Sequence, residues 1–342
     1  MIETGRQQIR RPLLQNVAPW QFPALLTFLG IIFAGIARAY MRGYRLDFGA
    51  AASIYVCFML LLAFVIAPGI HGSHAMVRRW LDRRYSSLGL VVLWCAPYLI
   101  YAAGTGDFRW IAILRLLALV TALTAMYRLF PVRDVSRFCW QDAGIAILLI
   151  ASVLFHGLRG VWNVPVNLDF MARLYLIGIA SWSWVFLRTL PGLGYHFSVS
   201  AKVCKAAALN FIYFAIIAIP LGLAMHFTAW NPRWRNFPSF GLDYLEIFLF
   251  IALLEELFFR GFLQTLISGS LQSWWKGQLI VSCLFGLFHI LHAPFPNWRY
   301  VALASIAGWF YGSAFRQGGN LMAPVLTHAL VDTVWRTWFS RI

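Results

Sequence analysis

Leu253-Leu254-Glu255-Glu256-Leu257-Phe258-Phe259-Arg260 stands inside a run, 243–267, otherwise built largely of Phe, Leu and Ile. Three charges in so apolar a setting decide the reading. The run is long enough for the roughly 20 residues that a helix needs to cross a bilayer, so it reads as a transmembrane helix with a polar patch near its middle. A charged side chain at the bilayer centre costs about 2.5–3.5 kcal/mol on insertion scales, which makes such residues rare and ties them to function.

Outward from this stretch the chain keeps the same character. Of 342 residues, 61% are hydrophobic and 12% charged, against roughly 45–50% and 25% in a soluble domain, so no soluble core could absorb the apolar surface. Apolar runs lie near 20–40, 49–70, 88–105, 108–129, 142–158, 169–189, 205–227, 243–267, 277–293, 299–316 and 320–339. They predict an all-α, polytopic transmembrane bundle of about eleven spans. The first run follows an arm carrying Arg6, Arg10 and Arg11 and ends in Ala37-Arg38-Ala39, faintly like a signal-peptide cleavage site. Its length, and the span that follows, predict an uncleaved first helix. The connection 229–241, with Trp230, Pro232, Trp234, Pro238 and Phe240, reads as an interfacial loop. It divides an N-terminal bundle of unassigned role, 1–235, from a functional bundle, 236–342.

The 28 Lys and Arg outnumber the 12 Asp and Glu, but the arginines flank hydrophobic runs and form no single patch. That pattern anchors helices in a bilayer and speaks against a nucleic-acid partner. Basic stretches at Arg78, Arg79, Arg83 and Arg84, at Arg128, Arg133 and Arg137, and at Arg188, Lys202 and Lys205 alternate with less basic connections. They predict a multi-pass protein of the bacterial inner membrane with its N-terminal arm and the 71–87 loop cytoplasmic and its C-terminal residue outside. Cys57, Cys95, Cys139, Cys204 and Cys283 include no CxxC pair and read as small buried hydrophobes, with neither a disulfide framework nor a thiolate metal site.

At 100° per residue, Glu256 and Arg260 share a helix face and can pair, while Glu255 points about 100° away without a local partner. Glu255 must therefore carry a proton, meet polar groups of another helix, or reach water. Downstream, Phe285-Gly286-Leu287-Phe288-His289 and His328-Ala329-Leu330-Val331-Asp332 each place two side chains one turn apart. A carboxylate, two imidazoles and a second carboxylate from three helices can thus converge on one buried, wet site. A histidine on an apolar helix is usually a satisfied core residue, and His292 beside Pro294 reads that way, as do His156 and His226 near helix ends. Glu246, about 180° around from Glu255, reads as interfacial.

The residues alone leave several chemistries open. A carboxyl in an apolar setting can act as general base and a buried imidazole can donate to developing negative charge. The same groups, Glu255, His289 and His328, are a donor set for a divalent metal such as zinc, although no HExxH is present. A proton- or ion-coupled transporter could use the Glu/His/Asp cluster as a relay, but the acids gather in the C-terminal third and no internal repeat is visible, which favours one site over a pathway.

The order EExxxR, FxxxH, HxxxD on successive hydrophobic segments resembles the CPBP family of intramembrane proteases, which includes the CAAX prenyl endopeptidase of the Ras-converting type and bacteriocin self-immunity proteins. The motifs read Glu255-Glu256-x-x-x-Arg260, Phe285-x-x-x-His289 and His328-x-x-x-Asp332, and the resemblance covers about 243–339. It implies an endopeptidase acting on a membrane protein or lipidated peptide. Glu255 and His289 would activate water, His328 and Asp332 would orient substrate or stabilise the oxyanion, and Glu256 and Arg260 would hold their helix in place. The prenyl-processing branch typically ends its last motif in Asn where this chain has Asp332, which weighs against an isoprenylated C-terminal substrate. An inert scaffold or immunity protein that retains the motifs would show the same sequence.

Overall fold

The computed structural model describes residues 21–232 and 239–341. Helices account for nearly all of the regular structure among them. The first half runs through α1 (Gln21–Tyr44), α2 (Phe48–Ile66), α3 (His71–Leu81), α4 (Ser86–Thr105), α5 (Trp110–Leu129), α6 (Trp140–Leu154) and α7 (Asp169–Trp182), which continues as a π-helical turn, Ser183–Leu187. After α8 (Ala201–Ala224), the segments α9 (Phe240–Ile247), α10 (Leu253–Glu256) and α11 (Thr265–Leu271) form one unbroken helix, joined by π-helical turns at Phe248–Ala252 and Leu257–Gln264. The last three are α12 (Trp274–Leu287), α13 (Trp298–Gly318) and α14 (Met322–Trp338). A short antiparallel pair, β1 (Thr228–Trp230) with β2 (Phe339–Arg341), ties the end of α8 to the end of α14.

Local chemistry sets several helix starts. Asp47 accepts a hydrogen bond from the Ala50 N–H at 2.9 Å, Ser200 from Val203 and Asn297 from Tyr300 at 3.0 Å, each filling one of the donors that a first turn leaves orphaned. Gly106 and Gly319, at φ 70° and 80°, end α4 and α13 in the left-handed conformation.

Each apolar run read from the sequence holds a helix, and among the described residues six helices are long and apolar enough by themselves to cross a membrane. They are α1, α2 with the turn that follows it, α4, α5, α7 with its π turn, and α8. The α9–α11 helix and α12–α14 carry the polar residues of the site, and α12 keeps an exposed apolar face with Leu279, Ile280 and Leu287. The 71–87 loop also departs from expectation, because it contains α3, with Arg78 and Arg79 in its last turn. Polar and apolar residues are mixed over that stretch, which has no long apolar run to mark a helix. Arg188 is a second correction. It was read as a basic flank in water, yet its side chain and that of Asp142 are both fully buried, Nε to Oδ1 at 2.8 Å. Its remaining donors reach the Val135 and Arg137 carbonyls at 3.2 and 2.9 Å. The Tyr127 hydroxyl donates to the same Asp142 carboxylate at 2.9 Å. Of the cysteines, Cys57 and Cys95 are buried as expected, whereas Cys204 and Cys283 are exposed on the bundle's outer surface.

Contacts between loops sort the helix ends into two groups. Arg128 donates to the Leu81 carbonyl at 2.8 Å, the Phe138 N–H to Ser270 at 2.9 Å, and the Leu321 N–H to the Gly194 carbonyl at 3.0 Å. The connections near 81–86, 130–139, 188–200, 271–273 and 319–321 therefore lie at one end, and the β1–β2 pair at the other. The boundary between 235 and 236, with Trp234 and Pro238 of the 229–241 connection and Arg6, Arg10 and Arg11 of the arm, lies outside the described residues. Packing crosses that boundary: Asn210 of α8 donates to Gln317 of α13 at 2.8 Å, and Trp184 stacks on Phe262 with ring centroids 4.3 Å apart.

Candidate active site

The polar patch of the α9–α11 helix sits where α10 passes into its second π turn. Such turns insert an extra residue and re-aim side chains, and they concentrate at functional sites. Here they present Glu256 and Arg260 inward together. The Arg260 Nη1 donates to Glu256 Oε1 at 3.1 Å, and Nε lies 3.1 Å from Oε2 without hydrogen-bond alignment. Both side chains are fully buried. The guanidinium is held from two further sides. Its Nη2 donates to the Gly308 carbonyl at 3.0 Å, and its plane lies 4.5 Å from the Phe285 ring centroid and 5.2 Å from that of Tyr311. Gly308 permits this approach, since a Cβ there would stand 3.2 Å from Nη2 and 3.1 Å from Ser282 Cα. A cation enclosed by a carboxylate, a carbonyl and two aromatic faces is stabilised where water is absent.

His328, on α14, meets this clamp. Its Nδ1 is 2.7 Å from Glu256 Oε1, so Nδ1–H donates to the carboxylate and the ring is fixed in one orientation. Tyr311 stacks on the ring at 4.6 Å and 15°. The other nitrogen, Nε2, lies 3.9 Å from Glu255 Oε2 and 3.5 Å from Asp332 Oδ2. The two adjacent glutamates thus part company: Glu256 has no exposed side-chain surface, whereas the side chain of Glu255 is 33% exposed and that of Asp332 40%. They open into a cavity of about 380 Å³ whose walls include His289, His328 and Tyr300.

His289 shares the cavity but not the hydrogen bonds. Helix α12 ends at Leu287, so His289 lies in the turn beyond it and not on the helix expected over 277–293. Pro294 and Pro296 follow, each lacking a backbone donor and disfavouring helix in the residue before it. The i,i+4 relation survives as a contact between the His289 Nδ1 and the Phe285 carbonyl at 2.8 Å, in which Nδ1–H donates and Nε2 is left toward the cavity. His292 was read as a core residue, yet it stacks on His289 at 5.5 Å and 17° and lines the same cavity. His156 and His226 fall just past helix ends, at φ 50° and 48°. Glu246 pairs with Arg336 at 3.0 Å.

Two residues escaped the sequence reading. Tyr311 belongs to no motif, and its importance comes only from where α13 crosses α14. Gln264 is fully buried with neither end of its amide hydrogen-bonded among the described residues. It follows Arg260 by one turn, so an uncharged polar residue in that span was the available cue.

The zinc set drawn from the sequence does not fit. Among the described residues, no three His, Cys, Asp or Glu side chains are arranged to hold a metal ion. Glu255 Oε2 and His328 Nε2 lie 3.9 Å apart, and no third ligand is gathered with them into a metal-holding group among the described residues.

Residues 237–334 match the family model described as Rce1-like, type II CAAX prenyl endopeptidase. This part of the chain is similar to the CAAX prenyl endopeptidases. The match agrees with the resemblance read from the three motifs, and the Rce1-like stretch contains Glu255, Glu256, Arg260, His289, His328 and Asp332. It leaves α1–α8 outside. The description is that of the prenyl branch, while the last motif of this chain ends in Asp332. The transporter reading gains no support from it. No curated protein and no solved structure matches the chain.

Proposed function

We propose that the protein is an intramembrane endopeptidase of CAAX type that hydrolyses a peptide bond in a membrane-associated, lipidated peptide or protein. The observation that carries this reading is the division of labour between neighbours: Glu256 is sealed in a clamp with Arg260 and His328, while Glu255 faces the cavity beside His289, His328 and Asp332.

Glu255 takes a proton from a water as it attacks the scissile carbonyl, the bare Nε2 of His289 in the same space accepts the water's other O–H hydrogen bond, and Glu255 returns the proton to the amine nitrogen as the C–N bond breaks. His328, held through Nδ1 by Glu256, presents Nε2 to the cavity. Carrying a proton, that nitrogen donates to the oxyanion as it forms, and the Asp332 carboxylate beside it supports the charged ring. Glu256 and Arg260 stay out of the chemistry and fix the ring that performs it. A bilayer-embedded site with apolar walls strengthens each of these interactions relative to water.

The test is cleavage of a lipidated peptide by the purified protein in detergent or lipid. Glu255→Gln, His289→Ala and His328→Ala each abolish turnover while folded yield stays near wild type. Wild-type rates in all three variants would place the hydrolytic site elsewhere.

A further inference from the structure

The N-terminal half lies outside the Rce1-like match, yet α7 borders the site. A second cavity, also about 380 Å³, opens between α6–α7 and the α9–α11 helix and ends on Glu255 and His289. Its walls are mostly apolar, with Leu176, Ala180 and Phe258 among them. Arg173 of α7 lines this cavity and the one beside Asp332, and is the one Lys or Arg shared by the two linings.

Its surroundings leave its charge unanswered. Arg173 Nη1 donates to the Phe250 carbonyl at 3.3 Å, and no carboxylate lies within ion-pair distance of it among the described residues. The acids that share its cavities are engaged or set apart. Asp169 accepts from Asn167 at 2.8 Å, and Glu255 and Asp332 face His328. Arg336, the other cation of the Asp332 cavity, is already held by Asp243 and Glu246 at 3.5 and 3.0 Å. A guanidinium has five donors. Arg173 is exposed and lines both cavities, so an apolar chain that filled them and excluded water would leave its charge uncompensated, which is costly unless the chain brings an anion.

We infer that Arg173 binds a carboxylate of the substrate, resting on the endopeptidase reading above. Phe250, to which Arg173 is tethered, precedes Glu255 by five residues, roughly 7 Å along a helix axis. An extended peptide covers that in about two residues at some 3.3–3.6 Å each. The carboxylate therefore sits about two residues from the scissile bond. It is either the chain terminus or an acidic side chain, and both present the same planar pair of oxygens to a bidentate guanidinium.

Three peptides, alike except at this position, distinguish the sources: a free terminal carboxylate, a terminal amide, and an amide carrying an acidic side chain two residues beyond the cleaved bond. Wild-type protein prefers one or both carboxylate peptides over the amide by about 10- to 100-fold in kcat/KM, the range of a charge-assisted hydrogen bond. Arg173→Gln erases that preference through KM, so that the three peptides are turned over alike, and Arg173→Lys retains part of it. Equal effects of Arg173→Gln on all three peptides, or none, would overturn the assignment. Binding of the same peptides to Glu255→Gln, followed by fluorescence, separates the two readings. A carboxylate preference that Arg173→Gln removes supports Arg173 even without turnover, in which case the endopeptidase reading alone fails. Indifference to the carboxylate overturns Arg173 whether or not cleavage occurs.

Discussion

Replacing Glu256 by Ala removes the carboxylate that serves two partners. Arg260 loses the carboxylate it is paired with while remaining fully enclosed by Phe285, Tyr311 and the Gly308 carbonyl, and His328 loses the acceptor at 2.7 Å that fixes its ring. Stripping one partner from a buried ion pair costs on the order of 3–5 kcal/mol, mostly as the penalty of the charge left behind. Because both side chains have no exposed surface, solvent screening offers no discount. The folded-to-unfolded ratio should fall by about 10²–10⁴, at 1.4 kcal/mol per factor of ten. Glu255→Gln is the control. Its side chain is a third exposed and its nearest charged partner, His328 Nε2, is 3.9 Å away, so stability should be unchanged or slightly raised while cleavage disappears. Thermal denaturation in detergent, run beside a cleavage assay on both variants, reads the two effects separately. A stable but inactive Glu256→Ala together with an unfolded Glu255→Gln would reverse the assignment of base and clamp and refute the reasoning.

Arg188→Ala should destabilise the protein by a similar 3–5 kcal/mol, since it strands Asp142 in the interior; an Arg188→Met/Asp142→Leu double variant that melts no higher than the single one would show that charge burial is not the cause. Reporter fusions after residues 86, 135 and 195 should fall on one side of the membrane and a fusion after 342 on the other, following the two groups of helix ends; a shared side for all four would mean that a crossing has been misread. Treatment with a strong chelator should leave cleavage unchanged, because Glu255, His289 and His328 do not come together as a three-ligand set; loss of activity restored by zinc would refute this.

The sequence determined what is local. Apolar runs of bilayer length fixed helices and a membrane setting, and spacing of four residues within one helix was enough to pair Glu256 with Arg260 and His328 with Asp332. The family resemblance drew on the same spacings, which is why the motif residues could be named before their positions in space were known. Periodicity says which side chains share a face, but not which helix that face meets or how each helix is rotated against its neighbour. Tertiary structure alone brought His328 to Glu256 across 72 positions, laid Tyr311 over the imidazole, and turned the Gly308 carbonyl to Arg260. It also decided that Arg188, read as a solvated flank, is buried. A charge enters an interior only where a counter-charge meets it, and for Arg188 that counter-charge is Asp142, 46 positions away. The exposure of Glu255 beside a sealed Glu256 is of the same kind, set by the cavity that α14 and the 288–290 turn leave open on one side of the helix.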